Sequence, residues 1–404
     1  MTTATRLHKD AFPQVRTTAV ATPAVTRLAY LDSVRVILIS LVIALHAAIT
    51  YGAPGGWPFV DPLQDELTSI LMTLVTALVQ AFSLGLYFFI SGYFIPGSYV
   101  RKGITRFWKD RLLRLAVPML LFTFVLSRIV WYVVGVAEHW VSGSFWQFFG
   151  DTFISDADEG PTWFLFALLL FSAGYTIWRL LTRSISPAKL EWISKLKVPG
   201  KKQILGFGLL VGVLMFVVGL KSPINNTWEA LGIFSLMIIF FVQYMLFFVA
   251  GILAKRNDWL SNFEGKDLRF WAWLSLVLVL MVPVMMVIGG AADGNGDLFL
   301  GGLYWQSAVF MLWIGIFSVS ISMTMILWLR DRKQPQSRLM SFAGSNSYGV
   351  YLIHPLILVP VSVWFSYLPI FPLLKFAIVL PLVIILCFLA AEGLRRTPWL
   401  KEIL

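Results

Sequence analysis

The feature that most constrains this chain is a series of apolar runs, each about 20 residues long, that recur along its whole length. A helix of that length crosses the roughly 30 Å of hydrocarbon in a bilayer. Strands of a membrane barrel would instead alternate apolar and polar residues in segments of about ten. These runs are apolar throughout, so the sequence predicts an all-α, polytopic membrane helix bundle.

Composition and charge placement agree with that class. Hydrophobic residues make up 58% of the chain and charged residues 13%, the reverse of the balance in a soluble domain. The net charge of +11 does not point to nucleic acid, because the basic residues mark one side of the membrane. The single cysteine, Cys387, lies in an apolar run, which excludes a disulfide framework. The four histidines lack metal-ligand spacing, so we predict no metal site.

About ten transmembrane helices are predicted, each bounded by charged residues, proline or glycine. They cover approximately 33–52, 69–95, 113–137, 162–181, 204–220, 233–254, 270–289, 303–329, 341–365 and 371–391. Residues 28–395 form the transmembrane domain, between a flexible cytoplasmic tail at 1–27 and a short tail at 396–404. The N-terminus lacks the pattern of a cleaved signal peptide, so we expect the first helix to direct insertion.

Charge alternates from loop to loop. Lysine and arginine concentrate in every second connection, as in 101–111 and 195–202, whereas the other loops carry acids, as in 61–66 and 151–159. The positive-inside rule therefore places both termini in the cytoplasm. The exceptions are Lys221, Lys375 and Arg128.

Two segments are predicted to lie on the membrane surface instead of crossing it. Residues 187–198 combine one apolar face with lysines, which suits an anionic cytoplasmic surface. Residues 144–149 are rich in aromatic side chains, which suits the outer interface. A glycan-facing platform is the alternative for both segments.

The first predicted helix carries the strongest candidate residues. His46 follows Arg35 by eleven residues, which on a helix returns to within about 20° of the same face and separates the two by roughly 16 Å. Asp32 lies one turn before Arg35 and is predicted to pair with it. A histidine inside the membrane is either a general base or a structural hydrogen-bonding residue between helices.

The third predicted helix carries three arginines. Arg111 and Arg114 lie at its cytoplasmic entrance, where guanidinium groups suit the phosphates of a nucleotide-containing donor, although the positive-inside rule also accounts for them. Arg128 is predicted about 21 Å deeper, on nearly the same face as Arg114. A buried cation there requires a carboxylate, a carbonyl group or a water-filled cavity.

Four further residues are candidates for binding substrate, each with a structural alternative. Ser91 precedes Gly92 in a segment that also suits close helix packing, and Trp163 also suits an interfacial anchor. Tyr351 and His354 lie on one helix, and His354 precedes Pro355, which frees a backbone carbonyl group.

These residues together resemble the signature of the acyltransferase 3 family of membrane proteins. The resemblance rests on five segments in register: Arg35 to His46, Phe89 to Tyr93, Arg111 to Pro118, Trp163 to Leu165, and Tyr351 to Pro355. Within the family, the chain is most similar to members implicated in succinylating periplasmic glucans.

The resemblance implies an O-acyltransferase of the bacterial inner membrane. Arg35 and His46 would be the catalytic pair, and Arg111 and Arg114 would help to hold an acyl-coenzyme A donor, either succinyl or acetyl. The acceptor would be a hydroxyl group of an extracytoplasmic glycan. No permanently bound cofactor is expected.

Two questions stay open from the residues alone. His46 would act as a general base or carry a covalent acyl group. Arg128 would assist the donor or favour a succinyl chain. The alternative function is a secondary transporter or flippase that uses the buried histidine and arginines as a relay.

Overall fold

The computed structural model describes residues 28–183, 196–332, 337–398, 400 and 403. The part of the chain that it describes is a helical bundle with one small hairpin. Within these described residues, nine helical segments are long and apolar enough to cross a membrane. The predicted N-terminal tail and most of the predicted surface helix at 187–198 lie outside the described residues.

The helices are numbered in chain order. They are α1 (Ala29–Thr50), α2 (Glu66–Arg111), α3 (Val117–Leu121), α4 (Ser127–Ala137), α5 (Phe145–Thr152), α6 (Trp163–Leu181), α7 (Lys201–Gly219), α8 (Ile238–Arg256), α9 (Trp259–Asn262), α10 (Leu268–Ile288), α11 (Trp305–Arg330), α12 (Arg338–Ser366) and α13 (Pro372–Arg395). The strands β1 (Trp228–Ala230) and β2 (Phe234–Leu236) pair antiparallel before α8.

The second and third predicted helices are joined in one helical segment of 72 residues, Glu66–Ala137. Such a segment would measure roughly 108 Å if straight, several times the hydrocarbon thickness. It bends at Gly103, whose φ of 69° and ψ of 168° interrupt the helix. The connection that hydropathy predicted as a loop is helical because lysine and arginine are good helix formers. This continuity accounts for nine helices where ten were predicted.

The helical segment that runs from α2 to α4 is not a uniform α-helix. Two π-helical turns, Leu112–Ala116 and Phe122–Leu126, flank α3. Each π-turn carries an extra residue and rotates the side chains that follow it. The face shared by Arg114 and Arg128, predicted from ideal helical spacing, is therefore not kept.

The bundle has a basic end and an acidic end. At the basic end, the connections are tied by Lys201 with Asp267 (2.9 Å between nitrogen and oxygen) and by Arg330 with the Leu260 carbonyl oxygen (2.8 Å). At the acidic end, the Ile224 amide donates to the Leu300 carbonyl oxygen (2.7 Å). Helix α5 also lies at this end, and a capping box between Ser144 and Gln147 begins it.

Glycines allow the closest helix contact, between α2 and α8. A Cβ atom on Gly92 would lie 2.0 Å from the Phe248 carbonyl oxygen, and one on Gly251 would lie 2.1 Å from that of Phe89. The predicted role of the Ser91–Gly92 segment in close packing is confirmed for Gly92. Helix α1 packs against both α2 and α12, and these helices form the wall that carries the candidate site.

Candidate active site

A large internal cavity occupies the bundle between α1, α2, α6 and α12. Its volume is about 1830 Å³, larger than the roughly 300–1,000 Å³ of pockets that hold one drug-sized ligand. Its lining reaches from Arg35, Ser345 and Tyr348 at the basic end to Asp158, Glu159 and Asp297 at the acidic end. One cavity therefore extends from the basic end to the acidic end and exceeds the space that a single drug-sized ligand requires.

His46 lies on the cavity wall, near the acidic third of α1. The helix α1 is unbroken, so Arg35 lines the same cavity about 16 Å away, as their spacing predicted. The predicted pair of Arg35 with Asp32 is present, with 3.2 Å between Nη1 and Oδ1. Arg35 also stacks on Phe94, and its carbonyl oxygen accepts from Tyr87. Arg35 is thus fixed at the opening of the cavity toward the basic end, called the basic mouth below, away from the His46 imidazole. The opening toward the acidic end is called the acidic mouth.

His46 and His354 form a hydrogen-bonded pair between α1 and α12. His46 Nδ1 lies 3.1 Å from His354 Nε2, and His354 Nδ1 lies 2.7 Å from the Tyr351 carbonyl oxygen. His354 is fully buried and, unlike His46, is not among the residues that line the cavity. No local sequence pattern predicts this contact, because the two histidines are 308 positions apart.

The hydrogen bonds assign the proton positions in the pair. A carbonyl oxygen only accepts, so His354 Nδ1 carries a proton toward Tyr351. A neutral His354 then has a bare Nε2, which accepts the proton on His46 Nδ1. The remaining nitrogen, His46 Nε2, keeps its lone pair. The arrangement is therefore able to accept one proton at His46 Nε2.

Trp57 completes the histidine cluster from the loop between α1 and α2. Its ring stacks on His46, with 4.1 Å between centroids and 21° between planes, and lies 6.0 Å from His354. The loop is anchored by Asp61 and Lys375, which pair at 2.8 Å and are both fully buried. This pair accounts for Lys375, an exception to the alternation of charge.

The remaining predicted residues divide into two groups. Ser91, Trp163 and Tyr351 line the cavity, and the Tyr351 hydroxyl group donates to the Pro161 carbonyl oxygen (2.6 Å). Arg111 and Arg114 are not among the lining residues, although Leu115 beside them is. Arg114 offers its backbone carbonyl oxygen to Tyr348 at the basic mouth.

Arg128 lies apart from the other two arginines. It is buried in the wall behind Ser127, and its Nη1 donates weakly to the Thr152 carbonyl oxygen near the acidic end (3.4 Å). It does not line the cavity. The structure therefore does not bring it together with Arg111 and Arg114, because Arg128 lies deeper along the helical segment and the π-turns change the direction of its side chain.

A polar stripe along α2 was not predicted from the sequence. Its members recur every three or four residues and line the cavity: Ser69, Thr73, Thr76, Gln80, Ser83 and Tyr87. That period places them on one helical face. Polar residues at helical spacing inside an apolar run were the signal that could have found them.

Carboxylates at the acidic mouth were noted in the sequence only as loop charges. Asp158 accepts from Trp131 Nε1 (2.6 Å), and Glu159 accepts from the Ser235 amide of β2 (2.9 Å). Burial raises the pKa of Glu159 above its usual value. Arg35 lines the cavity at its basic end, whereas these carboxylates line its acidic end. The two ends of the cavity therefore differ in charge.

Comparison with known proteins agrees with the resemblance noted above. The family model Acyl_transf_3, described as an acyltransferase domain, matches residues 28–392. Proteins named glucans biosynthesis protein C from Salmonella paratyphi B, Salmonella dublin and Salmonella enteritidis are 24% identical over 338 residues, which cover 80% of each chain. No solved structure matches the chain.

Proposed function

Because the chain belongs to the acyltransferase 3 family and is a membrane acyltransferase, we propose that it transfers an acyl group between substrates that meet at His46. The donor is an acyl-coenzyme A, with an acetyl or succinyl group, that enters from the basic end. The acceptor is a hydroxyl group of a glycan that enters from the acidic end. The names of the glucan-related relatives support a glucan acceptor.

The observation that carries the proposal is the His46–His354 pair, whose His46 ring lines a cavity that reaches both ends of the bundle. His46 Nε2 takes the proton of the acceptor hydroxyl as its oxygen attacks the thioester carbonyl carbon. The tetrahedral intermediate then expels the thiolate, which receives that proton from His46. His354 holds the imidazole in the required tautomer while its charge changes.

The distribution of charge supports the assignment of the two mouths. A nucleotide donor is polyanionic, and Arg35 lies at the basic mouth. A neutral glycan is compatible with Asp158, Glu159 and Asp297 at the other mouth, since carboxylates accept hydrogen bonds from hydroxyl groups. The basic end faces the cytoplasm in this proposal, in a bacterial inner membrane.

The test uses the purified protein in lipid nanodiscs with radiolabelled acetyl- and succinyl-coenzyme A and candidate glucans. Loss of a general base lowers turnover by about 10²–10⁴-fold, which we expect for His46→Gln. The matched control is His139→Asn, an exposed histidine at the acidic end whose φ of 62° asparagine tolerates. Unchanged turnover in His46→Gln would exclude the imidazole from the reaction. Solute uptake without acyl transfer would favour the transporter alternative.

A further inference from the structure

A second cluster of cations lies at the basic end, outside the cavity. Arg179 is in the last turn of α6 and Arg256 ends α8. Both guanidinium groups lie over the ring of Trp178, at 6.0 Å and 5.2 Å from its centroid. Arg179 also lies 6.0 Å from the ring centroid of Tyr99 on α2.

These two arginines have nitrogen atoms that lack partners. Among the described residues, the buried side-chain atoms without a hydrogen-bond partner include two from basic groups, Arg179 Nε and Arg256 Nη1. Neither side chain forms an ion pair with a described carboxylate. A buried N–H of a charged group without an acceptor is costly, so two such groups over one tryptophan ring are suited to bind an acceptor.

The aromatic rings explain how the cations are held without using their donors. A guanidinium group stacks through its face, which leaves the N–H edge free to bind. Helix C-termini also favour cations, and the positive-inside rule accounts for basic residues at this end. Neither effect explains why these two arginines each keep a buried N–H group without an acceptor beside the same tryptophan ring.

We propose that Arg179 and Arg256 form a binding site for a phosphate group at the basic end of the bundle. Two guanidinium forks match the charge of a phosphate monoester, about −1.5 to −2 at neutral pH, and its oxygen atoms accept from both. The site is connected to Arg111 through aromatic rings, because Arg111 lies over Phe107, whose ring contacts that of Tyr99 edge to face. A nucleotide donor and a lipid headgroup both supply this chemistry, and the nucleotide source rests on the proposed function.

The experiment has two arms that distinguish these sources. The first measures binding of adenosine 3′,5′-bisphosphate to the protein in neutral phosphatidylcholine nanodiscs. The second measures the increase in thermal midpoint when phosphatidylglycerol replaces part of that lipid. Both measurements are made on the wild type, on the double variant Arg179→Gln with Arg256→Gln, and on Arg179→Lys. The lysine variant keeps the charge but loses the planar guanidinium fork.

If the site binds the nucleotide, the double variant should weaken nucleotide affinity on the order of tenfold to a hundredfold, as expected for lost charge-assisted hydrogen bonds. If the site binds lipid, the double variant should lose the increase in thermal midpoint that phosphatidylglycerol causes. Arg179→Lys should fall between it and wild type. The matched control is Arg332→Gln, which removes a cation that lies 3.9 Å over Trp328, also at the basic end. Since the double variant breaks ring contacts but leaves no buried hydrogen-bond partner unpaired, it should stay folded.

Each outcome decides the proposal. Weakened nucleotide binding assigns the site to the donor, and loss of the phosphatidylglycerol effect alone assigns it to lipid. Equal responses in the double variant and the Arg332→Gln control would overturn the site while leaving the proposed function intact. Wild type that binds no nucleotide contradicts the donor in the proposed function, and the lipid arm then decides this site separately.

Discussion

At the scale of single residues, the chemistry of His46 depends on a neighbour that is distant in sequence. His354 accepts from His46 Nδ1 and is itself fixed by the Tyr351 carbonyl oxygen. An imidazole that is free to rotate would present either nitrogen to a substrate. The hydrogen bond to His354 removes this freedom, so the lone pair on His46 Nε2 keeps one fixed direction.

This dependence predicts the effect of removing His354. His354→Ala should lower turnover by about 10²-fold or more while His46 remains present, because the wrong tautomer and an unsupported charge both slow proton transfer. Turnover and the donor KM are measured in nanodiscs. His354→Gln offers an acceptor at a similar distance and should recover part of the loss. Wild-type turnover in His354→Ala would show that the hydrogen bond has no part in the reaction.

Glu159 supplies a prediction on pH. Burial raises the pKa of this carboxyl in the folded protein, so the folded state binds more protons than the unfolded state between the two pKa values. Stability contributed by this group therefore falls as pH rises through that interval. Glu159→Gln keeps an oxygen that can accept from Ser235 and should melt at the same or a higher temperature than wild type at pH 7.

The comparison is made by thermal unfolding at pH 7 and about pH 4, where the advantage of Glu159→Gln should shrink. Glu229→Gln, on the exposed side of the same hairpin, controls for the loss of one negative charge. A variant that melts lower than wild type at pH 7 would mean that the carboxylate stabilises the loop.

At the scale of elements, the loop between α1 and α2 determines the position of Trp57. Asp61 accepts from the Leu63 amide (2.9 Å), and its own amide donates to Thr50 at the end of α1 (2.8 Å). Lys375 of α13 closes the loop against the bundle. The ion pair thereby connects α13 to the ring that stacks on His46.

Breaking this buried pair should destabilise the protein strongly. Lys375→Met leaves Asp61 buried without its cation, which costs about 3–5 kcal/mol. The double variant with Asp61→Leu removes both charges and should lose less. Lys201→Met breaks an exposed pair with Asp267 and should cost about 1 kcal/mol or less. Equal unfolding midpoints for Lys375→Met and Lys201→Met would contradict this role.

The contact between α2 and α8 gives a second prediction for elements. Gly251→Ala places a methyl group 2.1 Å from one backbone atom and 2.8 Å from another, so the helices must separate. We expect a loss of about 1–3 kcal/mol or more. Gly174→Ala is the control, because a Cβ there meets nothing within 4 Å, and alanine should stabilise α6 by about 0.5–1 kcal/mol. Similar unfolding midpoints for the two variants would exclude a tight contact.

At the scale of the whole molecule, hydropathy and charge predicted the helices well because both are local properties. The ends of α1, α7 and α10 fall within a few residues of the predicted bounds. The continuity through Gly103 and the π-turns was missed, because these depend on backbone geometry that hydropathy does not report. The predicted shared face of Arg35 and His46 is present because α1 is regular. The predicted shared face of Arg114 and Arg128 is not, because the π-turns lie between them. Contacts between residues far apart in the chain, such as His46 with His354, are not predicted by any local sequence pattern.

The opposed charge of the two mouths leads to a prediction about sidedness. Ser345 lines the basic mouth and Thr227 the acidic mouth. The only cysteine of the chain, Cys387, is fully buried and should react slowly with a membrane-impermeant maleimide. Ser345→Cys should therefore label only from the cytoplasmic face of oriented vesicles, and Thr227→Cys only from the opposite face.

Ligands should protect each position separately, because the donor and the acceptor occupy different halves of one cavity. Acyl-coenzyme A should slow labelling of Ser345→Cys, and a glucan oligosaccharide should slow labelling of Thr227→Cys. Cys387→Ala provides the background without any thiol. Labelling of both positions from the same face would contradict a cavity that receives its substrates from opposite sides, and the direct transfer at His46 would then require both substrates to share one mouth.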